Sequence, residues 1–352
     1  MFFWIIFLTI SISLLYISVY EKNNEIRSFG RLILVLWLIY FSGFRNGLGF
    51  DYVSYIARLD YFAEYSVLSW IDEPTFNIIA LVIQETLLSN IFYFLALSVV
   101  TISLIIPTFY KYPFPFYSIL IFLLSPGFGL LQTFNGIRQF AAIAFFFYGS
   151  KYIYDKKLIK YIVFFLLGFM FHKSILFLFP LYFIINKNWN RSILLIVLTI
   201  SLIFPDSLLI VVKSLSNVIG DYSIYLDYNN ENTEQSYLFM VLSLGFVFFI
   251  FNKRFFKEST FNLIFNMAFL CVIFYNFSIS SILFSRVALY FSPFLCVLLA
   301  IPNPKMPYSK LYRTLFLFLF FAVFFYNLYQ SIGDPILFPN NPKILPISSI
   351  ID

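Results

Sequence analysis

Apolar residues along the chain fall into long runs separated by short polar or charged stretches, and run length with flanking residues marks out membrane-spanning helices. The runs lie near residues 2–20, 30–44, 91–109, 114–131, 136–154, 158–172, 174–186, 191–205, 237–252, 260–278, 282–301 and 311–330. The expected fold is all-α: a polytopic membrane bundle of about twelve transmembrane helices, forming one integral membrane domain over residues 1–352. Residues 2–20 precede the first charge, Glu21, with no basic leader and no clear cleavage site, so they read as a retained first span. Glu73 to Ser89 is apolar but carries Asn77, Gln84 and Glu85, which fits a re-entrant or interfacial helix as well as a span.

Composition removes the soluble alternatives. Of 352 residues, 61% are hydrophobic and 11% charged, with mean hydropathy +0.88, more apolar surface than one soluble core could bury. The two cysteines, Cys271 and Cys296, sit in apolar segments without metal-ligand spacing, and no metal or other cofactor is expected. Net charge is +6, but the basic residues form short clusters between apolar runs instead of a stripe, which argues against nucleic acid as a partner.

Those clusters choose the topology. If Glu73 to Ser89 does not cross, Lys22/Arg27/Arg31, Lys111, Lys151/Lys156/Lys157/Lys160, Lys187/Arg191, Lys253/Arg254/Lys257 and Lys305/Lys310/Arg313 share one side. By the positive-inside rule that side is the cytoplasm. It then holds 16 Lys and Arg against 4 Asp and Glu, and the other side 7 against 13. The outside segments are long near 45–90 and 206–236.

The cations left outside are Arg45, Arg58, Arg138, Lys173, Lys213, Arg286 and Lys343. A cation at membrane depth costs several kcal/mol without a partner or a wet cavity, so Arg138 and Arg286 call for partners or an anionic ligand. Asn135, Arg138 and Gln139 open a helix whose N–H groups favour phosphate oxygens. Gly47 and Gly49 allow a tight turn between Arg45 and Asp51, although an Arg and an Asp capping a loop would look the same. Glu73 before Pro74 is equally a helix start, and His172, the sole histidine, equally an interfacial packing residue. Tyr52 and the Tyr-, Asn- and acid-rich stretch holding Tyr222 and Tyr225 suit sugar rings, or an aromatic interfacial belt. What favours a shared pocket is that Arg45, Asp51, Glu73, Arg138, His172, Lys173 and Arg286 all map to one side. No P-loop, HExxH, GxSxG or CxxC pair is present.

Five segments in register, FRNGLGFDYVSY, EPTFNII, NGIRQFAAIAF, FHKSILFLFPLYF and SRVALYF, resemble the EpsG-type family of Wzy-like polysaccharide polymerases over nearly the whole chain. EPTF departs from the pattern, since members often have Gly after EP. The resemblance implies a multi-span, GT-C-like, metal-independent inverting glycosyltransferase of the bacterial inner membrane. Its partner would be an undecaprenyl-diphosphate-linked oligosaccharide, extended at the periplasmic or outer face, with membrane lipid around it and a chain-length regulator protein as a further partner. In such a reaction Arg138 and Arg286 would neutralise the diphosphate, with Arg45 and Lys173 assisting. Asp51 is the first base candidate and His172 the second. Tyr52, Glu73, Asn135, Gln139, Tyr222 and Tyr225 complete the substrate-binding set. Two other classes compete. A transporter or flippase of lipid-linked glycans would also bury arginines, but needs a midplane site and usually repeat symmetry. An O-acetyltransferase would depend on His172.

Overall fold

The computed structural model describes residues 2–45, 49, 51–65, 73–83, 89–125, 127–214, 233–252, 259–301 and 309–331. Every described element is helical, and no strand occurs among the described residues. In order these are α1 (Phe2–Tyr20), α2 (Asn24–Gly43), α3 (Tyr52–Tyr65), α4 (Pro74–Ile83), α5 (Ser89–Phe109), α6 (Pro115–Leu124), α7 (Ile137–Gly149), α8 (Lys151–Tyr154) and α9 (Leu158–Phe171). They continue as α10 (Leu181–Ile184), α11 (Arg191–Ile203), α12 (Asp206–Ser214), α13 (Thr233–Asn252), α14 (Ser259–Phe277), α15 (Ile282–Leu289), α16 (Ser292–Ala300) and α17 (Ser309–Ser331). Short 3₁₀ turns cover Leu130–Phe134 and Lys173–Leu178.

Among the described helices, α1, α2 and α5 are each long and apolar enough to cross a membrane. Two bent pairs reach that length only together: α11 with α12, at 85°, and α15 with α16, at 59°. Several apolar runs are therefore not single helices. The run at 114–131 ends its helix at Leu124 and folds back, and a Cβ on Gly129 would lie 2.0 Å from the carbonyl oxygen of Phe122, so only glycine fits this turn. The run at 174–186 is a 3₁₀ turn and a single helical turn on either side of Pro180. The run at 282–301 bends where Pro293 opens α16. Helix α9 has 14 residues, a rise of about 21 Å against a hydrocarbon core of about 30 Å.

Packing follows the chain in two arcs. Helices α1, α2, α5, α7 and α9 pack successively, and α11, α13, α14 and α16 form a second group that joins the first through α6. The outer surface is apolar: Ile159 is 79% exposed, and Leu244, Val82 and Phe318 are comparably bare, as a lipid-facing exterior requires. The interior instead holds polar links. Asn276 donates to Ser201 Oγ (2.9 Å) and accepts from Ser243 Oγ (2.9 Å), tying α14 to α11 and α13 with all three side chains buried.

One end of this bundle collects the C-terminus of α2, the N-termini of α5 and α7, and the C-terminus of α9. The guanidinium of Arg45, just past α2, lies over the ring of Phe94 near the start of α5. Glu73, just before α4, reaches Arg138 at the start of α7 and His172 at the end of α9. The segment from Glu73 to Phe94 therefore begins and ends at the same end of the bundle. Helix α4 is 10 residues, about 15 Å long, half of what a crossing needs.

Candidate functional site

Glu73 is the centre of the site. Its backbone is in the left-handed region (φ 56°), where a non-glycine residue pays about 1–3 kcal/mol unless its surroundings fix it. The surroundings are two side chains from different helices. Arg138 Nη1 donates to Glu73 Oε2, and His172 Nδ1–H donates to Glu73 Oε1, with Glu73 5% exposed and Arg138 25% exposed. A carboxylate only accepts, so the contact calls for a proton on His172 Nδ1, and in the neutral tautomer that satisfies it the lone pair is on Nε2. His172 stands where α9 ends, with extended backbone (φ −156°), and Arg138 sits in the first turn of α7.

Around this trio, further contacts hold the helix ends in register. Tyr55, on α3, donates from its hydroxyl to the carbonyl of Asn135 (3.2 Å) and lies with its ring 5.7 Å from the Arg138 guanidinium. Burial pushes the Tyr55 phenol up, with Arg138 opposing. Gln139, one residue beyond Arg138, is buried and donates to the main-chain carbonyl of Arg286, which fixes α15 against α7. Ser174 and Tyr290 share a hydroxyl–hydroxyl bond of 2.8 Å that ties the segment after His172 to the end of α15.

Asp51, half-buried, is within electrostatic reach of the same cluster. Burial pushes its carboxyl up, while Arg286, Arg138 and Arg45, in that order, draw it down. Three arginines from three parts of the chain thus bear electrostatically on one carboxylate. Gly49 makes the turn before it: its φ is +107°, and a Cβ there would lie 2.7 Å from the carbonyl oxygen of Phe134. Tyr52 stacks on Phe94 at 4.9 Å.

Arg45 is placed differently from the other cations. It is 2% exposed, with its guanidinium 4.6 Å from the Phe94 ring centre and 4.8 Å from that of Phe134. Its Nε and Nη2 find no hydrogen-bond partner among the described residues. Burial draws it down to about 10, which still leaves it charged at neutral pH, held by two ring faces. Lys173 and Asn135 are half-buried beside His172 and Arg138. Ten of the twelve residues singled out from the sequence are described and belong to this end; Tyr222 and Tyr225 lie outside the described residues.

Three residues of the site, Tyr55, Phe94 and Phe134, were not among the candidates from sequence. Tyr55 carried a signal, since it follows Asp51 by four positions and so shares its helix face. Phe94 and Phe134 carried none among so many phenylalanines. Among the described residues, no group of three or more His, Cys, Asp or Glu is placed to hold a metal ion.

The arrangement offers an imidazole oriented by a carboxylate, and Arg138, Arg286, Arg45 and Lys173 against Asp51 and Glu73, an excess of positive charge suited to an anionic substrate. A family profile described as the EpsG family matches residues 28–342. No curated protein and no solved structure matches the chain.

Proposed function

The chain belongs to the EpsG family, a Wzy-like polymerase family with a polysaccharide polymerase-like role, and from that premise we propose that it polymerises a polysaccharide at the outer face of a bacterial inner membrane. The donor is a growing glycan on undecaprenyl diphosphate, and the acceptor is a hydroxyl of a lipid-linked repeat unit. The product is an O-antigen, capsule or exopolysaccharide chain. About twelve crossings of a multi-span glycosyltransferase, with the basic clusters in the cytoplasm, would put the Glu73 end outside.

In this reaction the acceptor oxygen forms a bond to the donor's anomeric carbon from the face opposite the leaving group. The carbon–oxygen bond to the diphosphate breaks, inverting the centre. The acceptor proton passes to His172 Nε2, and undecaprenyl diphosphate leaves with the electron pair. Glu73 holds the histidine in the tautomer that can take that proton, the role a buried carboxylate plays beside a catalytic imidazole elsewhere. Arg286 and the outer edge of Arg138 neutralise charge growing on the diphosphate. Asp51, faced by three arginines, arranges those cations and is the second base candidate. Arg45, sealed between rings, acts at a distance through its charge.

The observation that carries the reading is the buried Glu73 carboxylate bridging Arg138 and His172 from a left-handed backbone. Purified protein given a synthetic lipid-diphosphate oligosaccharide is expected to yield a ladder of products longer than one repeat. Translocation of the substrate across vesicles without any ladder would overturn polymerisation in favour of a flippase.

A further inference from the structure

The three helices that carry Phe94, Arg138 and His172 at one end carry an unexplained set of residues at the other. Lys111 follows α5, Tyr148 is in the last turn of α7, Lys151 and Tyr152 are in α8, and Lys160 is in the first turn of α9. From Arg138 to Tyr148 along α7 is about 15 Å, and from His172 back to Lys160 along α9 about 18 Å. The set is therefore remote from the polymerase site, and a ligand held there is independent of whether that site polymerises.

The lysines converge. The ammonium of Lys111 lies 3.9 Å from the centre of the Tyr148 ring, and that of Lys151 lies 4.5 Å from the same ring and 4.7 Å from Tyr152. Lys160 approaches Tyr152 at 5.9 Å. No carboxylate among the described residues lies within ion-pair distance of Lys111 or Lys151, and the nearby Asp155 is taken by Lys157 at 3.3 Å. Burial, with the neighbouring Lys151 second, draws the Lys111 amine down. Other cations at this end are individually accommodated. Arg31 lies 4.5 Å over Tyr110 and donates to the carbonyl of Ser18 (3.1 Å), while Arg313 lies 3.7 Å over Tyr117. A charge preference for one membrane side accounts for lysines being here, but not for two of them meeting over one ring with no carboxylate between them.

We propose that Lys111 and Lys151, meeting over Tyr148, form a binding site for the phosphate of an anionic phospholipid headgroup, with Lys160 at its edge. Two ammonium groups fit the oxygens of one phosphodiester, and the tyrosine rings form an amphipathic floor at headgroup depth. The phosphate relieves the repulsion between the two lysines and bridges the α5–α6 turn to α8. The acyl chains lie along the exposed apolar side of α9, where Ile159 and Val163 face outward.

The test is native mass spectrometry of the full chain released from nanodiscs of phosphatidylglycerol and phosphatidylcholine, with a parallel arm in detergent containing inorganic phosphate. The wild type is expected to retain phosphatidylglycerol and not phosphatidylcholine. Lys111→Gln/Lys151→Gln is expected to hold it roughly 30-fold more weakly, from about one surface-lysine increment per charge. Lys111→Arg/Lys151→Arg is expected to keep it, which shows that the fold is intact. Equal losses in the double variant and in a Lys22→Gln/Lys187→Gln control would mean diffuse attraction to the charged face and overturn the site. Capture of inorganic phosphate with no preference for phosphatidylglycerol would overturn the lipid assignment.

Discussion

Replacing Glu73 with glutamine tests the centre of the site most directly. The amide keeps the size of the side chain but loses its charge, and one of its two heads becomes a donor. That donor must face either Arg138 Nη1 or His172 Nδ1–H, both of which donate in the native site. Removing one member of a buried ion pair costs about 3–5 kcal/mol, and because Arg138 is 25% exposed, water recovers part of this, leaving about 2–3 kcal/mol. The larger effect falls on turnover. General base catalysis supplies about 10²–10⁴-fold, and an imidazole free to rotate or to take the other tautomer forfeits most of it. Ladder formation from a synthetic lipid-diphosphate oligosaccharide should therefore fall by at least about 10²-fold while the protein remains monodisperse in detergent. Glu73→Asn is a useful companion, because asparagine tolerates the left-handed backbone at φ 56° and adds no strain while removing the bridge. It should be equally inactive. Native ladder rates in folded Glu73→Gln would refute the role given to the bridge. A drop in melting temperature with native turnover would reduce it to a structural ion pair.

The same geometry sets the outcome of five further substitutions. Arg286→Ala and Arg138→Ala should abolish polymer while protein levels in the membrane stay at wild type; loss of the protein instead would make both arginines structural. Asp51→Asn should retain measurable transfer, since His172 takes the proton, and complete inactivity with normal substrate binding would return the base to Asp51. Tyr55→Phe removes the hydroxyl bond to the Asn135 carbonyl, worth about 1 kcal/mol, and should lower kcat several-fold with KM little changed. A rise in KM alone would mean that Tyr55 touches substrate. Arg45→Met keeps the volume between Phe94 and Phe134 without the charge; it should melt no lower than wild type yet bind the diphosphate substrate more weakly, as titration calorimetry would show.

The sorting of charge by side was legible because a chain with so few charges leaves each of them informative, and it brought Arg138, His172, Glu73 and Asp51 to one end from sequence alone. The roles within that end were not legible. A glutamate before a proline looks like a helix start, and only contacts 65 and 99 residues away along the chain distinguish a cap from a bridge. A carboxylate needs no special protonation state to act as a base at neutral pH, which puts Asp51 ahead of His172 on sequence grounds; the carboxylate that orients the imidazole is visible only in the fold. Arg45 was given a place near the diphosphate from the glycine turn beside it, but its two aromatic walls belong to distant segments. Apolar runs were legible as apolar, whereas their breaks depended on local events, Pro180 in one case and the fold-back at Gly129 in another.

The brevity of α9 has a consequence for the lipid. On the proposed topology, a helix that starts at the cytoplasmic headgroups and rises about 21 Å would end short of the outer surface and hold His172 below the headgroup plane. The proposed polyprenyl substrate would then present its diphosphate-linked carbon at the depth where it already rests. Each methylene drawn out of the hydrocarbon would cost about 0.8 kcal/mol, and a recessed histidine spares that extraction at every cycle. The proposed glycan product, being hydrophilic, would extend from that recess into the water above it, while departure of the diphosphate gives the reaction its direction.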